Sequence, residues 1–126
     1  MTFEECLHSL PNTTTPDALL EALSQAEISS FHEYLLFGTS EKKALFLQNL
    51  TFLAEEDVWT PEELVDYQLV AQTIDNDYIL ASNSQVLVIP SHLYRDDSET
   101  YDLTITTFFE QYIEGALPSN ILAANS

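Results

Sequence analysis

Apolar positions along this chain fall at helical spacing in the first two thirds, switch to short continuous runs around residue 80, and return to helical spacing near the end. Leu10-Pro11-Asn12-Thr13-Thr14-Thr15-Pro16 is a loop that sets up a helix. Thr15 can cap it, and Pro16 suits the first helical position, where its missing N–H costs nothing. Leu19, Leu20, Leu23 and Ala26 then share one helical face. A second helix is signalled by Ser30-Phe31-His32-Glu33, which has the form of a capping box, with Gly38 placed to end it. From Lys42 to Ala54 the residues Leu45, Phe46, Leu47, Leu50, Phe52 and Leu53 fit a buried helix and a buried strand almost equally, leaning to helix at the start. Thr60-Pro61-Glu62-Glu63 is the strongest local signal, combining a cap, a first-turn proline and two acids favoured by the helix dipole. It predicts a helix from Pro61 to about Gln72.

After that helix, Tyr78-Ile79-Leu80-Ala81 and Val86-Leu87-Val88-Ile89 flank the polar Ser82-Asn83-Ser84-Gln85 and read as a β-hairpin, which Pro90 ends. A final helix over about 104–114 places Ile105, Phe108, Phe109, Tyr112 and Ile113 on the core side, with Gly115 as its stop. The pattern predicts one α+β domain over residues 1–126. Its helices pack on a small, mostly antiparallel sheet containing a central hairpin near 78–90, behind a loosely ordered segment at residues 1–15.

Charge then narrows the function. Three bases against 21 acids leave a formal net charge of −18. That would suit a disordered chain, but 45% of the residues are hydrophobic and 11% aromatic, which supplies a core. A polyanion gains nothing by displacing the counterions of another polyanion, so direct nucleic-acid binding and acidic membranes are disfavoured and basic partners are favoured. No apolar run approaches the ~20 residues of a spanning helix, and the start of the chain carries no leader pattern, which together predict a cytoplasmic protein.

The chain offers little to covalent or metal chemistry. Cys6 is the sole cysteine and reads as a small semi-buried residue on an N-terminal segment. His8, His32 and His92 lack a paired ligand spacing, so no metal or cofactor is expected. Asp75-Asn76-Asp77 begins like a calcium loop, but Leu80 stands where glycine is required. Ser91-His92 cannot act as a nucleophile pair, because neighbours on a strand face opposite ways, and the chain is expected not to be an enzyme.

The acids are concentrated in two stretches. Glu55, Glu56, Asp57, Glu62, Glu63 and Asp66 form one, and Asp96, Asp97, Glu99 and Asp102 form the other. No Lys or Arg lies between Glu55 and Asp77, so the first stretch has no local counter-charge and suits electrostatic docking of a basic protein. Trp59 and Tyr94 lie beside these acids. Each reads either as core or as an interface anchor. The candidate partner-binding residues are therefore Glu55, Glu56, Asp57, Trp59, Glu62, Glu63, Asp66, Tyr94, Asp96, Asp97 and Glu99.

Four stretches in order, Asp57-Val58-Trp59-Thr60-Pro61-Glu62-Glu63-Leu64, Asp77-Tyr78-Ile79-Leu80-Ala81-Ser82, Val86-Leu87-Val88-Ile89-Pro90 and Tyr101-Asp102-Leu103-Thr104-Ile105-Thr106-Thr107-Phe108-Phe109, resemble the SUKH superfamily over about half the chain. The resemblance implies helices against a mixed sheet and a non-enzymatic role in binding proteins, commonly as an immunity protein that neutralises a toxin nuclease or similar effector. It brings no catalytic residues. The charge also suits a DNA mimic occupying a nucleic-acid-binding protein, and an orphan domain with a small ligand is the third reading. A mimic requires its acids in rows, whereas the third reading requires an apolar pocket with convergent polar groups.

Overall fold

A computed structural model describes residues 2–37, 40–52, 58–60, 62–91, 93–119 and 121–122. Six strands form one sheet in sequential order: β1 (Ser30–Phe31), β2 (Leu35–Phe37), β3 (Gln68–Thr73), β4 (Tyr78–Ala81), β5 (Val86–Ile89) and β6 (Glu99–Tyr101). Every neighbouring pair is antiparallel. The helices are α1 (Phe3–His8), α2 (Pro16–Gln25), α3 (Ser40–Phe52) and α4 (Ile105–Ile113). This is the expected α+β arrangement.

The sheet is covered on both faces, which explains why its central strands are continuous apolar runs instead of alternating ones. Ile79, Ala81, Val86 and Val88 face a large core shared with Leu7 of α1, Leu19 and Leu23 of α2, and Phe108, Phe109 and Tyr112 of α4. Leu80, Leu87 and Ile89 face a second core with Phe46 and Leu50 of α3 and with Val58 and Leu64. The 78–90 hairpin forms in register, with Tyr78 opposite Ile89 and Ala81 opposite Val86. A bulge in β3 sets Val70 and Ala71 against the single residue Ile79, and both join the large core.

The caps expected at Thr15 and Thr104 both form, with their side chains accepting from the N–H groups of Ala18 and Thr107. The ambiguous stretch from Lys42 is helical to Phe52, burying Phe46 and Leu50 one turn apart and leaving Leu45 exposed. Residues 3–8, within the segment expected to be loosely ordered, form α1. Its Thr2–Glu5 capping box is complete, and Phe3, Cys6 and Leu7 are buried.

Two predicted helices are absent. Ser30–Phe31 pairs with Leu35–Phe37 across a turn in which the Tyr34 N–H donates to the Phe31 carbonyl at 3.0 Å. His32 and Glu33 both have positive φ, at 52° and 55°, so the supposed capping box is a reversing turn. Left-handed backbone costs each of these residues roughly 1–2 kcal/mol. Burial of Phe31 and Phe37 against Phe3, at ring separations of 4.9 Å, offsets it, since a fully buried phenylalanine contributes ~1.5–3 kcal/mol. Gly38, expected to end that helix, lies outside the described residues.

The helix expected from Pro61 to Gln72 is the second correction. Its capping box forms: the Thr60 N–H donates to Glu63 Oε1 at 3.2 Å and the Glu63 N–H to Thr60 Oγ1 at 3.3 Å. Turns reach Asp66 and stop, and residues 68–73 become β3 between β2 and β4. A capped first turn only nucleates, while most helical stability comes from packing. In the middle of the sheet Leu69, Val70, Ala71 and Thr73 are all buried and the strand gains a ladder on each side. Pro61 itself lies outside the described residues.

Candidate functional site

The second core ends in a polar cluster where the two acidic stretches meet. An isolated antiparallel bridge joins Val58 to Tyr94. Just beyond it, Tyr94 leads into a 3₁₀ turn, Arg95–Asp97, while Thr60 leads into the capped turn carrying Glu63. Arg95 spans the gap. Its Nη1 donates to Glu63 Oε2 at 2.6 Å, its Nη2 to Glu63 Oε1, and its Nη2 also to the Val58 carbonyl at 3.1 Å. The planar fork matches both carboxylate oxygens at once, which a lysine could not do.

Trp59 forms the floor. The Arg95 guanidinium carbon stands 5.1 Å from the ring centre, within cation–π range. On the other side the Trp59 Nε1–H donates to Ser98 Oγ at 2.9 Å, and the Ser98 hydroxyl donates to the Tyr94 carbonyl at 3.0 Å. The indole is thereby half-buried, packed on the second core and held at its polar end. Of its two readings, core residue and anchor, the structure supplies packing contacts and leaves part of the ring at the surface.

Burial pushes the Glu63 carboxyl up. The Thr60 backbone N–H, the Thr60 hydroxyl and the Arg95 guanidinium outweigh it and hold the group below the ordinary value of 4.5. The side chains of Arg95 and Glu63 are 39% and 34% exposed, so solvent screens the pair and its own contribution is about 0.2–1 kcal/mol. Its geometric role is larger, because it joins segments 32 residues apart.

Glu62, Asp66, Asp96, Asp97 and Tyr94 are exposed on the two joined segments, Tyr94 at 42%. Trp59 and Glu63 lie between them. Glu55, Glu56 and Asp57 lie outside the described residues. Glu99 is elsewhere: it sits on β6 opposite Val88, on the large-core face, and Oε1 accepts from the Tyr101 hydroxyl at 2.9 Å and the Ser119 hydroxyl at 2.6 Å. Burial, with the Glu99 hydrogen bond, raises the Tyr101 phenol to about 12. Glu99 is thus held by the fold and is separated from the other acids.

The first acidic stretch is also less uncompensated than its neighbourhood in sequence suggested, because Arg95 neutralises Glu63 from outside it. Sequence reasoning missed Arg95 and Ser98. One signal was available: Arg95 is the only arginine in a chain of net charge −18, so a fork on a carboxylate was its natural destination.

Other candidate chemistry resolves into structure. The Asp77 carboxylate is buried and accepts from the Ser91 N–H at 3.0 Å and the Thr73 hydroxyl at 3.2 Å, which ties the β3–β4 turn to the end of β5. Cys6 is buried, and that burial pushes its thiol up, away from reactivity. Among the described residues no three His, Cys, Asp or Glu side chains converge as metal ligands, and His92 lies outside them. No described helix is long and apolar enough to cross a membrane. Comparison with known proteins finds no matching family model, no matching curated protein and no matching solved structure.

Proposed function

We propose that this chain is a non-enzymatic, cytoplasmic protein-binding module that docks a basic partner at the Trp59–Arg95 cluster. The observation that carries this reading is the joining of two acidic segments by the Val58–Tyr94 bridge and the Arg95–Glu63 fork, which gathers Glu62, Asp66, Asp96 and Asp97 beside two partly exposed aromatic rings. Arg95 is itself taken up by Glu63 and the Val58 carbonyl, while Glu62, Asp66 and Asp96 stand exposed beside it. Carboxylates of this kind accelerate encounter, and aromatic rings set in a well-packed surface slow departure. The resemblance of about residues 57–122 to the SUKH superfamily supports the narrower reading of an immunity protein acting on a basic toxin or effector. Exposed acids also stand on α1 and α2, at Glu4, Glu5, Asp17 and Glu21; the alternative, a DNA mimic, would need its acids in rows along one face.

The test is kinetic. Partners captured by the native chain are compared with those captured by a variant carrying Glu62→Gln, Asp66→Asn, Asp96→Asn and Asp97→Asn. A specific partner should be held by the native chain and lost by the variant, and its association rate should fall steeply once ionic strength brings the Debye length to ~8 Å. Trp59→Ala should then mainly speed dissociation. An association rate indifferent to both salt and the four amides would remove the electrostatic basis of this reading.

A further inference from the structure

Helices α2 and α4 end in the same backbone motif with different residues at its critical position. At the end of α4 the Ala116 N–H donates to the Gln111 carbonyl at 2.9 Å and the Gly115 N–H to the Tyr112 carbonyl at 3.2 Å, with Gly115 at φ 73°. At the end of α2 the Ile28 N–H donates to the Leu23 carbonyl at 2.9 Å and the Glu27 N–H to the Ser24 carbonyl at 3.0 Å, with Glu27 at φ 59°. Both are Schellman closures, whose left-handed residue is ordinarily glycine. α4 has the glycine. α2 has a glutamate, which pays for its Cβ in a left-handed conformation.

Glu27 breaks a second local rule. The C-terminal end of a helix carries partial negative charge and favours cations, yet α2 has no basic residue in its last turn and a carboxylate just beyond it. Among the described residues that carboxylate makes no hydrogen bond or ion pair. Local rules broken together, without a compensating contact, mark a position kept for something other than stability.

What Glu27 borders is a groove of about 300 Å³ between the end of α2 and β2. Leu20, Leu23, Ile28 and Phe37 supply apolar walls, and Ser24, Ser29 and Glu27 supply polar groups. The size is at the lower end of small-molecule sites. The carboxylate and the negative end of α2 act in the same direction, so the groove favours positive charge beside an apolar floor. We infer that it binds a small organic ammonium ion carrying a short apolar tail, with the tail against the half-buried Leu20 and Ile28 and the ammonium on Glu27. This site is independent of the Trp59–Arg95 cluster.

The probe is hexylammonium, compared with hexanol at physiological ionic strength, where charges beyond ~8 Å are largely screened. Amide shifts on titration should concentrate at Leu20, Ser24, Ile28 and Phe37. The native chain should prefer hexylammonium about tenfold, corresponding to ~1.4 kcal/mol. Glu27→Gln should erase that preference while leaving hexanol affinity unchanged. Glu27→Gly should erase it too and raise Tm by roughly 3–5 °C, because the left-handed position becomes unstrained. A cation preference that survives Glu27→Gln would assign the attraction to the overall charge and overturn the site. Shifts centred away from the groove, or a lower Tm in Glu27→Gly, would do the same.

Discussion

The two faces of the sheet are closed by different means. On the large-core face three helices pack on an apolar interior in which Phe3, Phe37, Phe108 and Phe109 interlock, with Phe3 and Phe109 at 5.2 Å and nearly perpendicular. On the opposite face one helix, α3, covers part of the sheet, and the remainder is closed by the irregular segment from Val58 to Tyr67. None of the described residues of that segment belongs to a helix or to a strand of the sheet. Its position depends on the Val58–Tyr94 bridge, the Arg95 fork and the Trp59–Ser98 hydrogen bond. The contrast teaches that apolar area secures one face, whereas a few directional polar contacts secure the other, and that the second kind of closure leaves charge and aromatic surface facing water.

The most forceful way to break this comparison is to remove Phe109, which is fully buried and touches three other rings. Phe109→Ala should cost ~3–5 kcal/mol in urea unfolding. Arg95→Gln should cost less, ~1–2 kcal/mol, reflecting a screened ion pair, an exposed cation–π contact and one bond to a carbonyl. The loss should be local, with hydrogen exchange quickening over 58–67 while 78–89 stays protected. Equal costs for the two substitutions would remove the distinction between the faces.

Acid should separate the faces further. The Glu63 carboxyl is depressed in the folded chain, so its stabilisation is present above the ordinary value of 4.5 and is lost as pH falls through the lower folded value. Exchange over 58–67 should quicken in that window, and Glu63→Gln should flatten the response. Alkali should act at the other face with the smallest effect. The Tyr101 phenol is raised to about 12, so the stability it carries is intact below its ordinary value of 10 and disappears as pH rises through about 12. Burial also raises the Tyr78 and Tyr112 phenols, so tyrosinate absorbance should show several late-titrating groups, and Tyr101→Phe should remove the one near 12.

What the sequence determined alone was whatever depends on neighbours within a turn or two. The caps at Thr15 and Thr104, the α4 stop at Gly115 and the 78–90 hairpin follow from local hydrogen bonding and from apolar runs too regular to hide. The run Val86-Leu87-Val88-Ile89 marks a strand, and the structure adds that it is apolar throughout because both faces of the sheet are covered. Tertiary structure decided the rest. Ser30-Phe31-His32-Glu33 and Thr60 to Gln72 carry honest helix signals, and each was overruled because a strand there buries Phe31, Phe37, Leu69 and Val70 and completes a ladder. Among the candidate site residues, the acids and Trp59 were legible from composition and spacing. The pairing of Glu63 with Arg95 and the separation of Glu99 from its neighbours were not, because contacts 32 residues apart and the alternation of side chains on β6 are set by sheet register, which no short window of sequence contains.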